Sequence, residues 1–127
     1  MANYLTPEEI IAINKETLAE IKAKKADSFK VLSSMKISKL LEAVEAKTGN
    51  IYDKSVVLLK GLVQEHPFAS GNRRTAMLAV IRFLRFNCIE PKIKEEPKIL
   101  QGVRENYYKD EEIKSWLQGG DMREFKR

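Results

Sequence analysis

At 127 residues the chain suits one domain with one core spanning 1–127. A 43% hydrophobic fraction beside 32% charged residues fits an ordinary globular protein and excludes disorder, and no apolar run approaches a membrane span. The net charge of +5 points only weakly to an anionic partner, because basic residues mix with acidic ones, as in Lys22-Ala23-Lys24-Lys25-Ala26-Asp27, and read as solvated helix faces; a nucleic-acid patch is the minor reading.

The opening Met1-Ala2-Asn3-Tyr4 lacks the basic and apolar regions of a signal peptide, so a cytoplasmic location is expected. Thr6-Pro7-Glu8-Glu9 is a helix start: Thr6 can cap, Pro7 suits the first helical position and Glu9 completes a capping box. Ile10, Ile13, Thr17, Leu18 and Ile21 follow at helical spacing, and the helix should fade over 25–27. Residues 28–34 are short and mixed, with Phe29, Val31 and Ser33 alternating. They read as a brief strand, a surface flap or an ordinary loop. Ile37, Leu40, Leu41 and Val44 then share a helix face, closed by Gly49-Asn50.

The next helix is predicted over 52–65, with Val56, Leu59, Leu62 and Val63 inward. Pro67 pushes His66 out of the helical region. After the polar loop Ala69-Ser70-Gly71-Asn72, residues 73–87 read as a helix apolar nearly all round, through Ala76, Met77, Leu78, Ala79, Val80, Ile81, Phe83, Leu84 and Phe86. Such a helix belongs in the centre of a domain. Pro91 is taken to end it. Cys88, the one cysteine, reads as an inert core thiol; a single cysteine rules out an internal disulfide and fits a reducing compartment. Shorter helices are predicted near 97–107 and 110–118, with Tyr107, Tyr108 and Trp116 as packing residues. Gly119-Gly120 closes the last one and a loose tail follows. The fold class is therefore all-α, a bundle around one buried helix with at most one short hairpin at 29–34.

The informative stretch is His66-Pro67-Phe68-Ala69-Ser70-Gly71-Asn72-Arg73-Arg74. It lies between two apolar helices, which frame it. Gly71 permits positive φ and close backbone approach to a ligand. The loop feeds the first turn of a long helix, whose free N–H groups and dipole favour an anion. Arg73 and Arg74 add two permanent cations with fork-shaped donors suited to phosphate. The only histidine in the chain stands at the opposite lip, where a general base would serve. Phe68 reads as the apolar anchor of the loop. Each residue alone has a plainer reading: a packing histidine, a turn glycine, a solvated arginine pair. Their joint presence on one loop favours a phosphate site.

This stretch resembles the Fic motif, His-x-Phe-x-(Asp/Glu)-Gly-Asn-(Gly/Lys)-Arg. The following Thr75-Ala76, the absence of a second arginine at Met77 and the opening Tyr4-Leu5-Thr6-Pro7-Glu8-Glu9 are similar to the Doc (death-on-curing) branch, over about 4–118. The resemblance implies a Fic/Doc-like helical fold and transfer of part of a nucleotide to a protein hydroxyl, AMP in most members and phosphate in Doc toxins. It implies His66 as the base, Gly71, Asn72 and Arg74 as phosphate holders, and Arg73 at a position where Doc has lysine. It further implies ATP or another nucleoside triphosphate as donor, a protein substrate such as a translation factor, and an antitoxin partner. The 29–34 stretch lies about where such proteins carry a target-docking flap. One departure concerns the chemistry. The family's Mg²⁺-holding acid is Ser70 here, and a hydroxyl is a poor substitute, so Mg²⁺ binding should be weak. An enzyme, a non-catalytic nucleotide- or partner-binding module, and a basic nucleic-acid binder are the three classes to separate.

Overall fold

The computed structural model describes residues 2–20 and 30–126. They form six helices: α1 (Pro7–Glu20), α2 (Ser34–Ala46), α3 (Ile51–Glu65), α4 (Asn72–Phe86), α5 (Pro97–Arg104) and α6 (Asp110–Leu117). Among the described residues there is no strand, only an isolated antiparallel bridge between Val31 and Phe68. The fold is the all-helical bundle that the sequence leads one to expect.

The helix starts follow from local chemistry. Thr6 Oγ1 accepts from the Glu9 amide at 3.2 Å and Glu9 Oε1 accepts from the Thr6 amide at 2.9 Å, a reciprocal capping box. Asn50 and Asp53 repeat that box at α3. Gly49-Asn50 therefore opens α3 and does not close α2. α2 stops at Ala46, where the Lys54 ammonium takes the carbonyls of Val44, Glu45 and Lys47 and places a cation on the negative helix end.

α3 packs against α2, α4, α5 and α6, and α4 lies between α3 and α1. Val80 and Leu84 of α4 are wholly buried, beside Ala76, Ala79 and Phe83. Each such Val, Leu or Phe contributes roughly 1.5–3 kcal/mol by leaving water. The helix is less apolar in placement than in composition: Arg82, Arg85 and Phe86 are exposed, so one face meets solvent. It ends at Phe86, ahead of Pro91. Asn87, Cys88 and Ile89 turn back through backbone bonds to Leu84 and Arg85. Cys88 occupies the left-handed position of that turn (φ 63°) and is exposed, which corrects its reading as a core thiol.

Residues 121–126 carry no helix but are tied down. Arg123 pairs with Glu112 and lies over the Tyr107 ring, Tyr108 donates to the Arg123 carbonyl, and Phe125 meets Tyr107 edge-on. The tail thus has more contacts than its composition suggested. Of the expected flap, Ser28 and Phe29 lie outside the described residues, as do Ile21 and the expected fade of α1 over 25–27. What is described pairs with the motif loop and not with itself: the Leu32 and Ser33 amides donate to the Pro67 carbonyl and the Ala69 amide to Lys30.

Candidate active site

The loop between α3 and α4 is built from its ends inward. His66 closes α3 in the left-handed region (φ 49°, ψ 60°), because the following Pro67 bars the right-handed one. A non-glycine residue there costs about 1–3 kcal/mol, and the surroundings must supply it. Phe68 does so as a plug, 1% exposed in the core between the helices. Gly71 takes the second left-handed position (φ 77°), and the Thr75 amide makes the first bond of α4 to its carbonyl at 2.9 Å. The amides of Asn72, Arg73 and Arg74 precede that bond, so they are the N–H groups that the helix itself leaves unpaired.

Asn72 lies at the centre of the loop and is 9% exposed. The Phe68 amide donates to its Oδ1 at 3.1 Å and its Nδ2 donates to the Phe68 carbonyl at 2.8 Å. Only one orientation of the carboxamide satisfies both partners. In that orientation Nδ2 also lies 3.4 Å from His66 Nδ1, a long contact that leaves the tautomer of the ring open. The Asn72 side chain is thus committed to shaping the loop, which leaves its backbone amide for an anion.

His66 is half-buried. Burial chiefly, then the cations of Arg104, Arg73 and Lys36, hold its pKa below the ordinary value of 6.5. It is neutral at pH 7 and able to accept a proton. Neither Arg104 nor Lys36 stood out in the sequence. Lys36 reaches the position through its bond to the Glu65 carbonyl, one residue from His66.

Beyond the helix start opens a cleft of about 440 Å³. Its near wall is Ser70, Gly71, Asn72, Arg73 and Arg74, and its far wall includes Glu95, Glu96, Pro97, Leu100, Met77 and Trp116. Both arginines are exposed to it, whereas His66 stands outside, at the opposite lip of the loop. The glutamates were not singled out in the sequence. Glu96 and Pro97 are legible as a helix start, but only the tertiary fold sets them across from Arg73 and Arg74.

Ser70 lines the cleft, and its carbonyl faces α1, where Asn14 Nδ2 donates to it at 2.9 Å. Among the described residues no group of three or more acidic, histidine or cysteine side chains is placed to hold a metal. The loop offers no carboxylate for Mg²⁺, an ion usually held by one or two of them. These residues do not fit a protein-held Mg²⁺ at the motif position.

What the arrangement can do is hold a chain of phosphates on amides and guanidinium groups, beside a neutral imidazole. Among the described residues no helix is long and apolar enough to cross a membrane. A family model described as Fic/DOC family matches residues 4–84, more than half of the chain, from the capped start of α1 into α4. α5 and α6 fall beyond the matched span. Comparison with curated proteins returned no match.

Proposed function

Since the chain belongs to the Fic/DOC family, of nucleotide-dependent AMP- and phosphotransfer, we propose that it moves the terminal phosphoryl group of ATP or another nucleoside triphosphate to a hydroxyl of a target protein, as Doc does. The observation that carries this choice is the position of the cleft. A nucleoside seated against Met77, Pro97 and Leu100 would send its phosphates over the start of α4 toward His66, and the last phosphate would then come closest to the base. Adenylyl transfer would need the first phosphate there, with the nucleoside on the other side of the loop.

In this reading His66 takes the proton of the target hydroxyl. The oxygen forms a bond to the γ-phosphorus, the bond from that phosphorus to the β–γ bridging oxygen breaks, and ADP leaves with the electron pair. The free amides of α4, Arg73 and Arg74 stabilise the charge on the phosphates. Any Mg²⁺ would be held by the nucleotide's own phosphates, where it would offset their charge, since the loop supplies no carboxylate for it. A translation factor as target and an antitoxin as regulator follow the same resemblance to Doc.

Incubation of a cell extract with the protein and ATP labelled at the γ- or the α-phosphate tests this. Label from the γ position on a protein band is the expected result. Label from the α position reverses the nucleotide orientation. A second reading rests on Ser70: a non-catalytic module that binds nucleotide or a partner protein. No transfer from either label, with ATP binding retained, would establish that reading instead.

A further inference from the structure

The loop does not hold its shape alone. α1 buries an apolar face of Ile10, Ile13 and Leu18, and among these stands one carboxamide, Asn14, 0% exposed. A buried amide is costly unless it is bonded. Asn14 Nδ2 donates to the Ser70 carbonyl at 2.9 Å and to Thr75 Oγ1 at 3.0 Å. These two acceptors bracket Gly71 and the three free amides of the helix start. The backbone of Gly71 passes so close that an added Cβ would lie 3.2 Å from Asn14 Nδ2 and 3.3 Å from Leu18 Cδ2. Glycine is therefore required there twice over, for its positive φ and for its contact with α1.

Simple core packing does not account for the arrangement. Asn14 Oδ1 and the neighbouring Thr17 Oγ1 are buried and find no partner among the described residues. A leucine at position 14 would leave no such orphan acceptor. The carboxamide is costly for the core, and what it supplies in return is a clamp across both ends of the anion loop.

We propose that Asn14 is a positioning residue for the phosphate site. It holds the carbonyl of Ser70 away from the cleft and fixes the first turn of α4, so that the amides of Asn72, Arg73 and Arg74 point together at one anion. This rests on reading the loop as an anion site. It does not depend on which group is transferred.

The test is Asn14→Leu, with ATP titrated by calorimetry, amide exchange followed at Gly71, Asn72 and Arg73, and the melting temperature recorded. Exchange at those amides should accelerate, and ATP affinity fall, by about tenfold each, equivalent to ~1.4 kcal/mol at 25 °C. The melting temperature should stay within a few degrees, because the substitution also removes an unpaired acceptor. Unchanged exchange and affinity would overturn the proposal and leave Asn14 a packing residue. If Asn14→Leu fails to fold, Thr75→Val against Thr75→Ser decides. Val should reproduce the loss in part and Ser should restore it; equal behaviour of the two overturns the clamp. A wild-type protein that binds no ATP would instead defeat the nucleotide reading, and the exchange data on Asn14→Leu would still decide the role of Asn14.

Discussion

The contact between Asn72 and His66 is open to a direct test, because the chain has one histidine and its ring signals in a nitrogen–proton NMR spectrum are unique. Asn72→Asp keeps an acceptor for the Phe68 amide but replaces the Nδ2 group, which lies 2.8 Å from the Phe68 carbonyl and 3.4 Å from His66 Nδ1. Two consequences follow. Oxygen now faces the Phe68 carbonyl, so a buried bond is lost at a cost of about 1–3 kcal/mol, offset by ~0.3–1 kcal/mol from a negative charge at the start of α4. A carboxylate also stands beside the imidazole. At that range an opposite charge favours the imidazolium and raises the histidine pKa. His66 begins below its ordinary value, so the variant should titrate above the wild-type ring, with its proton drawn to Nδ1. The imidazolium then persists to higher pH, so transfer should fall on the acid side of its profile and recover as the pH rises. A pH titration of the ring nitrogens reads both the pKa and the tautomer. An unchanged pKa would show that the Asn72 side chain does not face His66, and the account of the loop would fail with it.

His66→Ala should cut transfer by about 10²–10⁴ while ATP affinity stays nearly constant, measured by γ-labelled transfer beside calorimetry; equal losses in both would make His66 a binding residue. Arg74→Ala should weaken ATP binding by about 1.5–3 kcal/mol, the scale of a hydrogen bond to a charged group, and an unchanged dissociation constant would remove Arg74 from the site. Ser70→Asp should tighten Mg²⁺ binding in the presence of ATP and raise the rate, since it supplies the missing carboxylate; equal affinity and rate in both proteins would show that position 70 is not at the metal. Arg104→Gln should raise the His66 pKa by removing one of the cations that depress it. The acid limb of the rate profile, below 6.5 in the wild type because only the neutral ring acts, should move to higher pH, and a stationary limb would count against that coupling.

Much of the bundle is legible in local chemistry. Thr6 with Glu9 announces the start of α1, and apolar spacing places the inward faces of Val56, Leu59, Leu62 and Val63, because a helix repeats every 3.6 residues whatever surrounds it. The residues 66–74 also show their character in one dimension: proline expels His66 from the helix, glycine permits the turn, and a helix start favours an anion. Where two local readings compete, the sequence is a poorer guide. Gly49-Asn50 suits a helix end as well as a helix start, and the partner of Asn50, Asp53, decides for the start. The apolar run in α4 hides an exposed face, because burial depends on which neighbours arrive, and among the described residues none buries Arg82, Arg85 and Phe86.

The amino-acid sequence by itself determines the helices, the anchor residue Phe68 and the chemical character of the loop, since each depends on neighbours within a turn or two. Only the tertiary structure decides what the loop faces. Asn14 lies far back along the chain from Ser70, and its place among Ile10, Ile13 and Leu18 marks it only as an oddity until α1 is laid against α4. Glu95, Glu96 and Leu100 become the far wall of the cleft because α5 packs on α3 and brings its start opposite that of α4, and Arg104 and Lys36 act on His66 from α5 and α2. Helix formation is set by bonds to residues four positions away, whereas a site is set by distances between side chains that no local rule brings together.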